Sequence, residues 1–408
     1  MEVKLTKQQE TAVKAEGTVL VAAAAGSGKT AVLVERIMRR FTNEEAPLMA
    51  DRALIVTFTN AAAEELKTKI EDKLRDELEK NPHSALLNKQ NLLIKNAAIC
   101  TIDSFCIGLV RDNFHFLNIA RDFKIADPGM VEITQNDILN RLFTEKYADE
   151  DDNFLKLLRS TQAGYDDRLL RQIVLTVYNK GCSMPYQEKW YDEICELCSG
   201  SGENYGKWSD EFFKEILLYV NKTEKSYNKL LNSLKADEGE TSNNISAAKA
   251  AIKFLNELRD SCIKKDSDWI YDNCGSEPEG TLRKNAKLKP ETAKALDTAR
   301  KLLSDLKALI GDMFPYNKET ARLISNEFYE VVCGVISLVK EYSERVFSES
   351  MVRNTFTFDQ IEHMALKLLN SSEGKVCAAF CSSFDAILVD EYQDTSNLQD
   401  ELFKRLND

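Results

Sequence analysis

The segment from Val19 to Phe41 reads VLVAAAAGSGKTAVLVERIMRRF: an apolar run, a loop of small residues ending in Gly-Lys-Thr, then a basic amphipathic run. From Ala23 to Thr30 the loop meets the pattern G-x-x-x-x-G-K-[ST] at every position but the first, where Ala23 stands in for Gly. Ala24, Ala25, Gly26 and Ser27 fill the free positions of that pattern, and Gly28, Lys29 and Thr30 form its fixed end. A loop of this kind between a strand and a helix turns the backbone N–H groups of Gly26 to Thr30, and the positive end of the helix dipole, onto phosphate oxygens. Gly26 and Gly28 permit close approach. Lys29 is expected to reach the β and γ phosphates of a nucleotide, and the Thr30 hydroxyl to ligate Mg²⁺.

Such a loop needs a second, carboxylate site, and FDAILVDEYQDT supplies one. Ala386 to Val389 read as a buried strand, so Asp390 emerges at its carboxyl end, where ligands bind in open α/β sheets. Asp390 is suited to hold Mg²⁺ through its water shell, and Glu391 beside it to orient and deprotonate an attacking water. In TFTN, Thr57 to Asn60, Phe58 can stack on a nucleic-acid base, worth roughly 1–3 kcal/mol, or pack into the core with Asn60 capping the next helix. TIDSFC, Thr101 to Cys106, can be a plain strand end with Asp103 as N-cap.

The elements that must position these residues follow from apolar patterning. Thr18 to Ala22, Ala53 to Thr57, Ala98 to Ile102 and Phe384 to Val389 are short apolar runs, each followed by a helical pattern, which predicts a parallel sheet with crossover helices. Three of these runs precede residue 115 and one follows residue 380, so a domain-sized segment is inserted into one α/β domain. The insertion reads as almost wholly helical: Leu296, Leu303, Leu306 and Ile310 recur at helical spacing, and Thr320 to Phe347 is one long striped run without Pro. CSGSGENYGKWS, KADEGETSNN and DNCGSEPEGT read as loops. Arg283 to Lys301 is the most basic window; it reads as a solvated helix face, with a DNA or partner surface as the alternative.

Composition sets the limits. A chain of 408 residues with 43% hydrophobic and 29% charged residues is globular and long enough for two or three domains. No apolar run approaches the roughly 18 residues of a membrane span, and the start MEVKLTKQQE has no signal-like core, so a cytoplasmic protein without membrane contact is expected. Ten scattered cysteines read as reduced thiols, and the lone CxxC at Cys195 and Cys198 lacks a second ligand pair for zinc. A net charge of −12 excludes a surface coated with DNA-binding lysines, but not a narrow track of DNA contacts.

DEYQDT at Asp390 to Thr395, TFTNAAAEEL from Thr57 and the Gln9 of LTKQQ together resemble motif II, motif Ia and the Q motif of UvrD-like superfamily 1 DNA helicases. That resemblance implies that Gln9 reads the adenine and that Gln393 links the γ phosphate to the DNA-binding elements. It also implies that Thr57, Phe58, Thr59 and Asn60 contact a single strand, as do Thr101, Asp103 and Ser104. TIDSFC, FTFDQIEHMALKLL and SMPYQEKW, with the length of the insertion, look closest to the AddA-type component of AddAB-type helicase-nucleases. Relatives usually carry His where Asp103 stands.

The expected fold is α/β: a RecA-like P-loop domain with a parallel sheet, interrupted by a large all-helical insertion domain. Residues 1–114 form the first part of the ATPase domain, 115–355 a 1B-like insertion, and 356–408 the second part with motif II. The expected function is the ATP- and Mg²⁺-binding motor portion of a DNA helicase in double-strand break repair. Its catalytic residues are Glu391, Lys29 and Gln393, and its partners are single-stranded and duplex DNA and an AddB-type second subunit. The rival reading is a nucleotide-dependent clamp without turnover. The family carries motif III, a second RecA-like domain with completing arginines, and a nuclease beyond this stretch. The 408 residues alone are therefore expected to bind MgATP and to hydrolyse it very slowly.

Overall fold

The computed structural model describes residues 5–24, 26–161, 166–199, 209–237, 241–273, 275–276, 278–284, 288–370 and 375–407. Among the described residues five strands are formed: β1 (Ala53–Thr57), β2 (Ala98–Thr101), β3 (Lys124–Ile125), β4 (Thr355–Phe356) and β5 (Ala386–Val389). The helices up to the third strand are α1 (Lys7–Lys14), α2 (Lys29–Phe41), α3 (Asn60–Lys80), α4 (Ala85–Leu93) and α5 (Ile102–Asp112). Then follow α6 (Pro128–Ala148), α7 (Asp152–Ser160), α8 (Arg168–Cys182), α9 (Gln187–Cys198), α10 (Ser209–Lys235), α11 (Ser242–Lys264) and α12 (Ser267–Asn273). The series ends with α13 (Pro290–Met313), α14 (Lys318–Arg353), α15 (Phe358–Asn370), α16 (Lys375–Cys381) and α17 (Asn397–Asn407). The chain divides into two compact units, one of residues 1–145, 175–187 and 341–408, the other of 146–174 and 188–340.

The first unit is built on a parallel sheet in the order β2-β1-β5. Leu54 pairs with Ala98 and Thr57 with Thr101 on one side, and Val56 pairs with Val389 on the other, so the carboxyl ends of all three strands lie level. Every residue of β1 is buried because helices cover both faces. Ala53 and Ile55 face a core made with α2, α3 and α4, while Leu54 and Val56 face one made with α5, α15 and α17. In α2 the apolar residues Val34, Ile37, Met38 and Phe41 recur at the three- and four-residue steps that make one buried stripe. The loop from α2 to β1 is held by Gln90 of α4, which is fully buried. Its Oε1 accepts the Ala50 N–H at 2.9 Å, and its Nε2 donates to the Phe41 and Leu48 carbonyls at 2.9 and 2.7 Å.

Three strand expectations need correction. Thr18 to Ala22 joins no ladder, and Leu20 is 77% exposed. An apolar run becomes a strand only where a neighbour accepts its backbone hydrogen bonds, and β5 bonds to β1 alone. The second strand stops at Thr101, whose hydroxyl accepts the Ser104 N–H at 3.1 Å and so starts α5 at Ile102. The last strand starts at Ala386, after Asp385 forms a two-pronged pair with Arg52, at 2.6 and 2.7 Å.

The range expected as an all-helical insertion, 115–355, contains one short strand and the start of another. β3 and β4 pair in parallel, Lys124 with Thr355 and Ile125 with Phe356, and both lie in the first unit. The second unit, as described, is helical, with α10, α11 and α13 packed around Phe213, Ile216, Leu230, Leu255 and Leu306. In α13, Leu296, Leu306 and Ile310 are buried and Leu303 is packed against them, and the run Thr320 to Phe347 falls within α14. In the basic window, Lys284 pairs with Asp297 at 2.6 Å and the Lys289 N–H bonds to Asp237 at 3.0 Å; residues 285–287 lie outside the described residues. So does most of the CSGSGENYGKWS loop. Cys195 and Cys198 share α9, and among the described residues no group of three His, Cys, Asp or Glu is placed to hold a metal ion. No helix among them is long and apolar enough to cross a membrane.

Candidate active site

The phosphate-loop residues lie beside the carboxyl ends of the strands. Gly26 and Gly28 have φ of 75° and 82°, in the left-handed region open to glycine, and Gly28 is the N-cap of α2 without any side-chain cap. The first N–H groups of α2 are therefore left for a ligand. Ala23, Ala24 and Ser27 are exposed around this turn, and Ala25 lies outside the described residues.

Gln9 secures the loop from the other side. Thr6 and Gln9 form a capping box at the start of α1, with the Thr6 N–H donating to Gln9 Oε1 at 2.8 Å. The Gln9 amide Nε2 then donates to the Ser27 carbonyl at 3.0 Å. Arg36 of α2 returns the contact, donating to the Ala12 carbonyl at the end of α1 at 2.8 Å.

The carboxylate site sits where β5 ends. The Asp390 N–H continues the ladder by donating to the Val56 carbonyl at 2.9 Å. Glu391 takes a left-handed turn with φ of 53°, uncommon for a residue with a side chain, and its N–H is held by Asp390 Oδ1 at 3.0 Å. That turn leaves Glu391 facing the phosphate loop while Tyr392 packs into the core and bonds to Asp400. Glu391 Oε2 lies 3.1 Å from Lys29 Nζ, and the Thr30 hydroxyl lies 3.4 Å from Asp390 Oδ2. Gln393 donates to the same Glu391 oxygen. The Gln393 hydrogen bond and then the Lys29 ammonium hold the Glu391 carboxyl below the usual carboxylate range.

Two further turns lie level with this cluster on β1 and β2. Phe58 is 55% exposed, so it is not a core residue. Asn60 is not the cap of α3. Thr59 is, with its hydroxyl accepting the Ala62 N–H at 3.1 Å. Thr57 is buried and donates to the Thr59 carbonyl at 3.0 Å, which shapes the loop that presents Phe58. At the neighbouring strand end Thr101, not Asp103, is the N-cap, and its hydroxyl also bonds to Ser104 Oγ at 2.9 Å. Asp103 stands in the first turn of α5, where burial and then Asp359 raise its carboxyl above the ordinary aspartate range.

Sequence reasoning passed over a device that recurs around this site. Thr357 with Gln360, and Ser396 with Gln399, form capping boxes like that of Thr6 and Gln9. In each, the spare amide hydrogens of the Gln reach another element: Gln360 donates to Ser350 Oγ at 3.0 Å, and Gln399 to Glu362 Oε1 at 2.6 Å. The spacing S/T-x-x-Q before an apolar run is the available signal.

Residues 5–408 match the UvrD/REP helicase N-terminal domain. The chain is 31% identical over 425 residues to the A component of the ATP-dependent helicase/nuclease of Clostridium beijerinckii, an alignment that covers 99% of this chain and 34% of that one. It is 32% identical to the protein of the same name from Clostridium perfringens (strain 13 / Type A), with 98% and 33% covered. For that of Acetivibrio thermocellus the figures are 30%, 99% and 34%. The chain thus spans about a third of the length of the curated relatives it matches. With a phosphate loop, an Asp-Glu pair and a glutamine-anchored first helix meeting at the ends of parallel strands, and a match that runs through residue 408, the chain belongs to the UvrD/REP helicase N-terminal domain family.

Proposed function

We propose that the chain is the ATP-binding motor portion of a DNA helicase-nuclease, which couples ATP hydrolysis to movement along single-stranded DNA and duplex unwinding in break repair. The observation that carries this reading is the meeting of Lys29 with Glu391 and of Thr30 with Asp390 at the level strand ends. On this reading, residues 1–114 and 356–408 form a RecA-like ATPase domain and 115–355 a 1B-like insertion, in a cytoplasmic protein. The relatives are named as one component of a helicase/nuclease, which supports a second, AddB-type partner.

Thr30 and Asp390 offer adjacent hard oxygen donors of the kind Mg²⁺ takes together with waters, and they would hold that ion. Bound there, Mg²⁺ supplies charge neutralisation at phosphate oxygens. Lys29 binds the β and γ phosphates, and its ammonium then leaves Glu391. Glu391, kept ionised by the Gln393 hydrogen bond, accepts the proton of the attacking water. Gln393, bonded to Glu391, relates this site to the strand-contact turns, and Gln9, bonded to the phosphate loop, reads the adenine. Phe58, aimed outward by Thr57 and Thr59, stacks on a base.

Titration of the chain with a fluorescent ATP analogue, with and without Mg²⁺, tests the core of the reading. Binding that needs Mg²⁺ is expected. No saturation at millimolar nucleotide would sink it.

A further inference from the structure

Glu362 is a buried carboxyl that nothing above puts to use. It is 4% exposed, on α15, which packs against α5 on one side and α17 on the other. Its Oε1 accepts Gln399 Nε2, and Gln399 Oε1 in turn caps the start of α17 by accepting the Ser396 N–H at 3.1 Å. Glu362 thereby holds the helix that follows Asp390–Asp394. On the packed α5, Asp103 and the buried Cys106 lie within electrostatic reach of it, and Asp103 sits beside Thr101 and Ser104 in the turn read as a strand contact.

On α15, Asp359 faces the group, and His363 turns its ring to the Cys182 carbonyl at 2.9 Å, with burial holding the imidazole below its ordinary value. On α17, Asp400 is paired with Lys404 and Tyr392, and on α16 Cys377 and Cys381 point to the Arg405 and Leu406 carbonyls. Burial, then Asp103 and Asp359, push the Glu362 carboxyl up to about 7 against the pull of Gln399.

We propose that Glu362 is a positioning residue that couples the Thr101–Ser104 turn to the helix following Asp390–Asp394, and that it takes a proton from solvent when a DNA phosphodiester settles on that turn. The inference rests on the reading of the turn as a strand contact. A phosphate near Asp103 adds negative charge to a desolvated group of carboxyls, which favours the protonated form. Reciprocally, the protonated form binds the strand more tightly. Affinity for single-stranded DNA therefore rises as pH falls through about 7.

The test is fluorescence anisotropy with a short oligothymidylate at low salt in EDTA, from pH 6 to pH 8, on the parent chain, Glu362→Gln and Asp103→Asn. Gln at 362 keeps an acceptor for Gln399 and copies the neutral carboxyl. The parent should bind roughly three- to tenfold tighter at pH 6 than at pH 8, given a screened interaction over several ångströms. Glu362→Gln should be flat over that range and match the pH 6 parent throughout, and Asp103→Asn should bind tighter at pH 8 with a shallower slope. A parent without a slope, or one slope common to all three proteins, overturns this inference. Should Glu362→Gln not fold, Asp103→Asn carries the comparison alone. If the parent binds no strand at any pH, the strand-contact reading itself falls and takes this inference with it, a result distinct from binding with an unaltered slope.

Discussion

Lys29 Nζ and Glu391 Oε2 lie 3.1 Å apart, the cation proposed to bind phosphate resting on the carboxylate proposed as the base. Both side chains are partly open to solvent, at 25% and 41% exposure, so the pair is loosely held and a triphosphate can part it. On the proposed reading the two roles are coupled: the contact that binds phosphate frees the carboxylate to face water.

Lys29→Ala is expected to remove most MgATP affinity, because phosphate charge then goes uncompensated in a loop shaped to receive it. The nucleotide-analogue titration measures this directly. Equal affinity in mutant and parent would mean that the loop is only a strand-to-helix turn.

Glu391→Gln should leave nucleotide affinity and its Mg²⁺ dependence intact while abolishing whatever slow turnover the chain has, since an amide cannot take the proton of water. Asp390→Asn should instead weaken the Mg²⁺ dependence. The Glu391 carboxyl is held below the usual range, so its ionised form persists at neutral pH and is lost only as pH falls through that lowered value. Steady-state phosphate release from pH 5 to 8 reads both points; turnover in Glu391→Gln equal to the parent places the base elsewhere.

Phe58→Ala should weaken single-strand binding by roughly 1–3 kcal/mol without changing ATP affinity. The ring is exposed and its loop is fixed by Thr57 and Thr59. A stability loss with unchanged DNA affinity would return Phe58 to a packing role.

Gln90→Leu should destabilise the first unit by about 2–4 kcal/mol, leaving the Ala50 N–H and two carbonyls buried without partners. Denaturant unfolding gives the size. A change under about 0.5 kcal/mol, typical of surface substitutions, would show that water replaces the amide.

The placement of the candidate site was legible where residue type and spacing coincide. A Gly-Lys-Thr loop and an Asp-Glu pair after an apolar run are local patterns; the pair stands at the end of β5 as expected, while the loop follows no strand and meets the pair through Lys29 and Thr30. Strand length and pairing were not legible, because Thr18 to Ala22 has the apolar content of a strand and no ladder to join. The caps were misread for a similar reason. Thr59 and Thr101 compete with Asn60 and Asp103 for the same helix starts, and only backbone geometry tells which side chain lies one residue outside the helix. Gln90 and Glu362 gave no signal, since a lone polar residue in an amphipathic helix looks solvated until its partners, drawn from distant sequence, close around it.

The three capping boxes also bear on which replacements this architecture tolerates. At positions 9, 360 and 399 a glutamate closes the same box with its own helix, so measures of helix propensity would score it as equal or better. It cannot donate to Ser27, to Ser350 or to an ionised Glu362. Glutamate would thus leave three well-formed helices without these hydrogen bonds to their neighbours. Hydrogen exchange would register this as faster opening of first turns under unchanged helical content, a lesion that circular dichroism alone passes over.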